Sequence, residues 1–154
     1  MSGGGRASGR AGRSSARAGG GNFSAEQMNL SGSEKQVAWA KDIVKQAFQN
    51  LDSQIKQRQK MLNDDIEKTA KRAGKTKTEI RKVNFANPNS TPSLEKLWID
   101  TAKEYKANSI ENFKKMPAGY PASRIIDARY GLSAESMIRA IDTMVTRKQN
   151  KNRR

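Results

Sequence analysis

Between Ser33 and Gly74 the chain contains neither Gly nor Pro, and its apolar residues Val37, Ala40, Val44, Ala47, Phe48, Leu51 and Ile55 return at steps of three and four. At 3.6 residues per turn such steps hold one face, so this stretch is committed to an amphipathic helix that must bury a stripe against something else. Ser33 followed by Gln36 forms a capping-box pattern that starts it. Asp64 with Glu67 repeats that pattern in front of Ile66, so the stretch is either one long helix or two helices parted near Asn63.

The same periodicity recurs downstream. Thr76 with Glu79 opens a short helix through Ile80 and Val83 after the Gly74 turn. Asn87 to Ser93, with two prolines, is a loop. Leu94, Leu97, Trp98, Thr101, Ala102 and Tyr105 form the next stripe, with Pro92 in its first turn. Ile110, Phe113 and Met116 extend this helix or make a short successor, and Met116 to Pro121 must turn. Ala122, Ile125, Ile126 and Tyr130 mark a helix stopped by Gly131, with Leu132 packing back as in a glycine-terminated cap. Ser133 starts a last helix with the stripe Met137, Ile138, Ile141, Met144 and Val145. No run alternates strictly enough to predict a strand. The expectation is an all-α fold of four to six helices around one core that includes Val44, Leu51, Leu94, Trp98, Ile126 and Ile141.

The first residues are of another kind. Residues 2–21 consist solely of Gly, Ala, Ser and Arg, with Arg6, Arg10, Arg13 and Arg17 and no acidic residue. Such a segment cannot bury enough apolar area to offset the entropy of ordering it. Residues 1–31 are expected as a disordered tail, 32–147 as one helical domain and 148–154 as a basic C-terminal tail.

Thirty Lys and Arg stand against fifteen Asp and Glu, a formal balance of +15. An acidic partner follows, DNA or RNA before an acidic protein surface. Chemistry is narrowed from the other side, because the sequence holds no Cys and no His. Disulfides, thiolate and imidazole metal sites and Ser-His or Cys-His nucleophiles are excluded, leaving carboxylate-only chemistry. Neither an enzyme nor a cofactor is expected. Asp64, Asp65 and Glu67 suit a divalent cation by ligand type, but helix-start carboxylates favoured by the helix dipole explain them better. No apolar run reaches the length of a membrane span, and residues 2–21 lack the apolar stretch of a secretory signal. The expected place is the cytoplasm, bacterial or of an infected cell, or a virion.

Candidate contacts are the four tail arginines, whose forked donors suit phosphate oxygens, and the C-terminal cluster Arg147, Lys148, Lys151, Arg153 and Arg154. The alternatives are a solubilising tail and a charged helix end that complements the dipole. A third group lies in Ala70-Lys-Arg-Ala-Gly74-Lys-Thr-Lys-Thr-Glu-Ile80-Arg-Lys-Val83, which resembles the helix-turn-helix pattern of repressor-type DNA-binding proteins. The resemblance implies that Lys77, Thr78 and Arg81 stand at the exposed start of a recognition helix; Lys75, where that pattern has an apolar residue, and Lys82 are further candidate nucleic-acid contacts beside them. Gly followed by Thr also serves as a plain connector between two helices.

Gly32-Ser-Glu-Lys-Gln36-Val-Ala-Trp39-Ala40 resembles the opening of small uncharacterised proteins of bacteria, phages and mobile elements, and Ile126-Asp-Ala-Arg129 is similar to a second short segment in them. The resemblance implies a mobile-element setting. Trp39 lies well off the stripe of Val37, Val44, Leu51 and Ile55, with Ile43 and Met61 toward its side. The simpler expectation is that the helix around Ile125 or Met137 buries it; the other is a ring that faces a partner or stacks on a base.

Overall fold

The computed structural model describes residues 23–152. Its elements are a 3-10 turn at Ala25–Gln27, strand β1 (Leu30–Ser31), helices α1 (Glu34–Ala73), α2 (Lys77–Ala86) and α3 (Thr91–Lys114), strand β2 (Tyr120–Pro121), α4 (Ala122–Asp127), a 3-10 turn at Arg129–Leu132 and α5 (Ala134–Asn152). The fold is all-α apart from the two short strands, with five α-helices among the described residues.

Local signals in the sequence place most helix starts. Ser33 Oγ accepts from the Gln36 amide at 3.1 Å while Gln36 Oε1 accepts from the Ser33 amide at 3.2 Å, a complete capping box. Thr76 and Glu79 make the same reciprocal pair ahead of α2. Ser90 Oγ accepts from the Ser93 amide before α3, and Ser133 Oγ from the Ser136 amide before α5.

Helix α1 is continuous for 40 residues, so nothing breaks near Asn63. Asp64 and Glu67 are mid-helix residues, not a cap: Asp64 Oδ2 accepts from Lys60 Nζ at 2.8 Å and Glu67 lies 3.7 Å from Lys71 Nζ, both pairs one turn apart. Leu62, Ile66 and Ala70 carry the buried stripe through the segment, so packing favours continuation.

Where the sequence predicts a single domain, the chain falls into two compact units, each assembled from two separated stretches. Among the described residues, one unit takes those up to Gln46 together with Glu104–Leu132; the other takes Ala47–Lys103 together with those from Ser133 to Asn152. Helices α1 and α3 each contribute to both.

In the first unit Ala25, Ala40, Val44, Ile110, Ala122, Ile125 and Ile126 are buried. β1 pairs in parallel with β2, Leu30 opposite Tyr120 and Ser31 opposite Pro121. Gly119 adopts φ +79, a left-handed conformation that favours glycine, and its amide donates to the Asn29 carbonyl at 2.9 Å. Lys41 Nζ donates to the Glu26 carbonyl at 2.9 Å, and the Phe23 and Phe113 rings stack with centroids 6.0 Å apart. Residues 23–31 are therefore held structure, a correction to the expected tail. Their isolated apolar residues find partners far away in sequence, which local composition does not reveal. Helix α4 ends at Asp127, and Gly131 sits in a 3-10 turn without positive φ, so the expected glycine-terminated cap is absent. Tyr130 faces outward.

In the second unit Leu51, Ile55, Leu62, Ile66, Ala70, Ile80, Ile99, Met137 and Ile141 are buried around Trp98. The Trp98 Nε1 donates to Asp142 Oδ1 at 2.8 Å, and the Arg58 guanidinium lies 3.8 Å from the ring centroid while bonding Glu95 at 3.2 Å. Thr101, the buried polar residue, donates to the Leu97 carbonyl at 2.7 Å. Leu94 is half-buried rather than central. Helix α5 extends through Asn152, so residues 148–152 are helical where a tail is expected.

Candidate nucleic-acid interface

The end of α1, the Gly74 turn and the start of α2 form the most cationic stretch of the described chain. Lys68, Lys71, Arg72, Lys75, Lys77, Arg81 and Lys82 are all exposed, against Glu79 as the one acidic residue between Lys68 and Lys82. Two backbone hydrogen bonds close the turn that presents them. Gly74 adopts φ +65, the Lys75 amide donates to the Ala70 carbonyl at 3.0 Å, and the Gly74 amide donates to that of Lys71 at 3.4 Å. This paired closure satisfies two carbonyls at the helix end and reverses the chain in a left-handed residue that glycine adopts without steric cost.

Hydrogen bonds hold the neighbouring acidic groups in their charged form. Glu79 is committed to the capping box, and the bond from the Thr76 amide, followed by that from the Thr76 hydroxyl, holds its carboxyl below the ordinary glutamate value. Nearby, the Lys60 hydrogen bond holds the Asp64 carboxyl below its usual value, and the same bond raises the lysine.

Ala70 and Ile80 are buried on the two sides of the turn, while Lys77, Thr78 and Arg81 are exposed on the first turns of α2. Val83, which the helix-turn-helix pattern sets inward, is 64% exposed. A side chain pointing to solvent contributes nothing to packing the two helices together.

Of the C-terminal candidates, Arg147 and Lys151 are exposed on α5. Lys148 is half-buried, and its Nζ donates to Thr101 Oγ1 at 3.2 Å, inside the second unit. It serves the packing of α5 rather than an outward contact. Arg6, Arg10, Arg13, Arg17, Arg153 and Arg154 lie outside the described residues.

Two arrangements escaped the linear reading. A groove of about 480 Å³ in the second unit is lined by Lys56, Lys60 and Lys103 with Gln59, Asn63 and the Asp64 that pairs with Lys60, bringing together lysines from α1 and α3. Their i,i+4 placement on α1 was legible, whereas the approach of Lys103 is tertiary. In the first unit Trp39 is 50% exposed, contrary to the burial expected for it, with the Arg129 guanidinium 5.4 Å from its ring centroid. Helix α4 buries Ile125 with Ile126 and leaves the indole at the surface.

Among the described residues no group of three or more acidic side chains is placed to hold a metal ion, and no helix is long and apolar enough to cross a membrane. No family model, curated protein or solved structure matches the chain.

Proposed function

We propose that the protein binds DNA or RNA mainly through phosphates, as a small basic accessory protein of a bacterial or phage system and without catalysing a reaction. The observation that carries this proposal is the seven exposed cations from Lys68 to Lys82, set on a closed helical turn with Glu79, engaged in capping, as the one acidic residue among them and with Lys71 paired to Glu67 one turn before. Flexible ammonium and forked guanidinium groups at the end of two helices meet the spacing of a phosphate backbone without reading its sequence. Lys56 and Lys103 add cations to the same unit, with Lys60 beside them paired to Asp64, and the tail arginines add sequence-independent attraction.

Each phosphate contact displaces condensed counterions, so log affinity should fall linearly with log salt by about 0.7 to 0.9 per contact. A gel-shift series with DNA and RNA at several salt concentrations tests this directly. A steep linear fall supports phosphate contact; no binding even at about 50 mM salt, where such contacts are strong, overturns it. In the second case the exposed Trp39 favours the other reading, an interaction factor that meets an acidic protein surface.

A further inference from the structure

Two segments far apart in the sequence meet in the first unit. Trp39 on α1 is 50% exposed and Tyr130, in the turn after α4, is 72% exposed. Arg129 joins them: its guanidinium lies 5.4 Å from the Trp39 ring centroid and 4.7 Å from that of Tyr130. The cation is anchored, because Nη1 donates to the Ile126 carbonyl at 2.8 Å and Nη2 to the Tyr130 hydroxyl at 3.3 Å.

We infer that Trp39, Arg129 and Tyr130 form a stacking platform for an unpaired nucleobase, so that the nucleic acid engaged here is single-stranded. The inference rests on the nucleic-acid proposal above and adds the strand class. Aromatic faces and a guanidinium plane are the surfaces on which bases stack, and every base offers a π-face, so such a platform is tolerant of sequence. A duplex hides those faces within its own stack. Lys35 and Asp42 stand one turn to either side of Trp39 on α1, so the local excess of positive charge comes from Arg129, between the two rings. An indole and a phenol left at the surface around an anchored cation suit a flat, electron-rich ligand next to a phosphate. A greasy peptide would be better served by a continuous apolar patch.

The test uses the full chain and two fluorescent probes, a poly-thymidine single strand and a duplex of equal length, at one fixed salt concentration. The wild type is expected to bind the single strand about tenfold or more tighter than the duplex, the size of one or two stacked bases. Trp39→Ala and Tyr130→Ala are each expected to weaken single-strand binding roughly tenfold and leave duplex binding and its salt slope unchanged, with Trp39→Phe recovering much of the loss. Single-strand binding should also quench Trp39 emission, leaving the signal of buried Trp98. Circular dichroism melting of each variant separates loss of binding from loss of fold. Unchanged single-strand affinity in folded Trp39→Ala overturns the platform and reassigns the rings to a protein contact; a wild type that prefers the duplex overturns it too. In both cases phosphate binding stands. Absence of binding to either probe at low salt removes the nucleic-acid proposal itself, and the platform with it.

Discussion

The Trp98 indole donates its one N–H to the Asp142 carboxylate at 2.8 Å, tying α3 to α5, and on its face the Arg58 guanidinium from α1 stacks at 3.8 Å. Three helices thus converge on one ring. Asp142→Ala leaves the indole N–H without its acceptor in a half-dry setting, which should cost about 1 to 3 kcal/mol. Urea unfolding with an unchanged slope and a lower midpoint checks this, and an unshifted midpoint contradicts it.

Leu51 is fully buried in the stripe of α1, whereas Lys56, a turn and a half further on, is exposed. Leu51→Asp forces a carboxylate into an apolar site and should unfold its unit, since the cost of several kcal/mol takes much of a small domain's stability. Lys56→Asp should melt as the wild type does. Equal melting temperatures would contradict the burial pattern of the helix.

Gly74→Ala tests the turn. Nothing lies within 4 Å of an added Cβ, so the expected loss of about 1 to 2 kcal/mol comes from the left-handed backbone and not from a clash. Thermal melts should register it. Because the turn sets the positions of Lys75 and Lys77, nucleic-acid affinity should also fall in a variant that still folds.

Deleting residues 1–21 removes four arginines. The slope of log affinity against log salt should flatten by up to about three units, and the melting temperature should hold. Changing Lys77 and Arg81 to Ala should flatten the slope as well. If the helix-turn-helix reading holds, it should also alter preference among DNA sequences, which a competition gel shift reports.

Acid should loosen the start of α2. Glu79 has its folded-state value below the ordinary one, so the stabilisation it lends is complete above the ordinary glutamate range and is lost as pH falls through the folded value. Amide shifts of Thr76 and Glu79 should move together as pH falls below the ordinary glutamate value. Lys60 has the opposite sign. Its pairing with Asp64 is complete below the ordinary lysine value and is lost as pH rises through the raised one.

What could be read from sequence was what is local in space. Ser33 with Gln36 and Thr76 with Glu79 act within a single turn, so four residues suffice to see a cap. Asp64 with Glu67 shows the limit of that logic, because the same spacing occurs wherever acidic residues pair with lysines one turn away, and only the buried Leu62 and Ile66 decide that the helix continues. Phe23 on Phe113, Leu30 beside Tyr120, and Trp39 under Arg129 each join residues some ninety apart, and no periodicity carries that information. The cationic turn was legible because charge is additive along the chain. The stacking platform was not, because its cation and its indole meet only after folding.

The interleaving of the two units constrains how the chain is born. The first unit lacks its closing stretch until Leu132 has been made, and the second until α5 has been made. At about 5 to 20 residues per second, the part of α1 that belongs to the first unit therefore waits roughly 4 to 17 seconds after Gln46 for that unit to be complete. During that interval the nascent helix has to rely on its own surface, where Lys60 with Asp64 and Glu67 with Lys71 bridge successive turns without any help from α3 or α5.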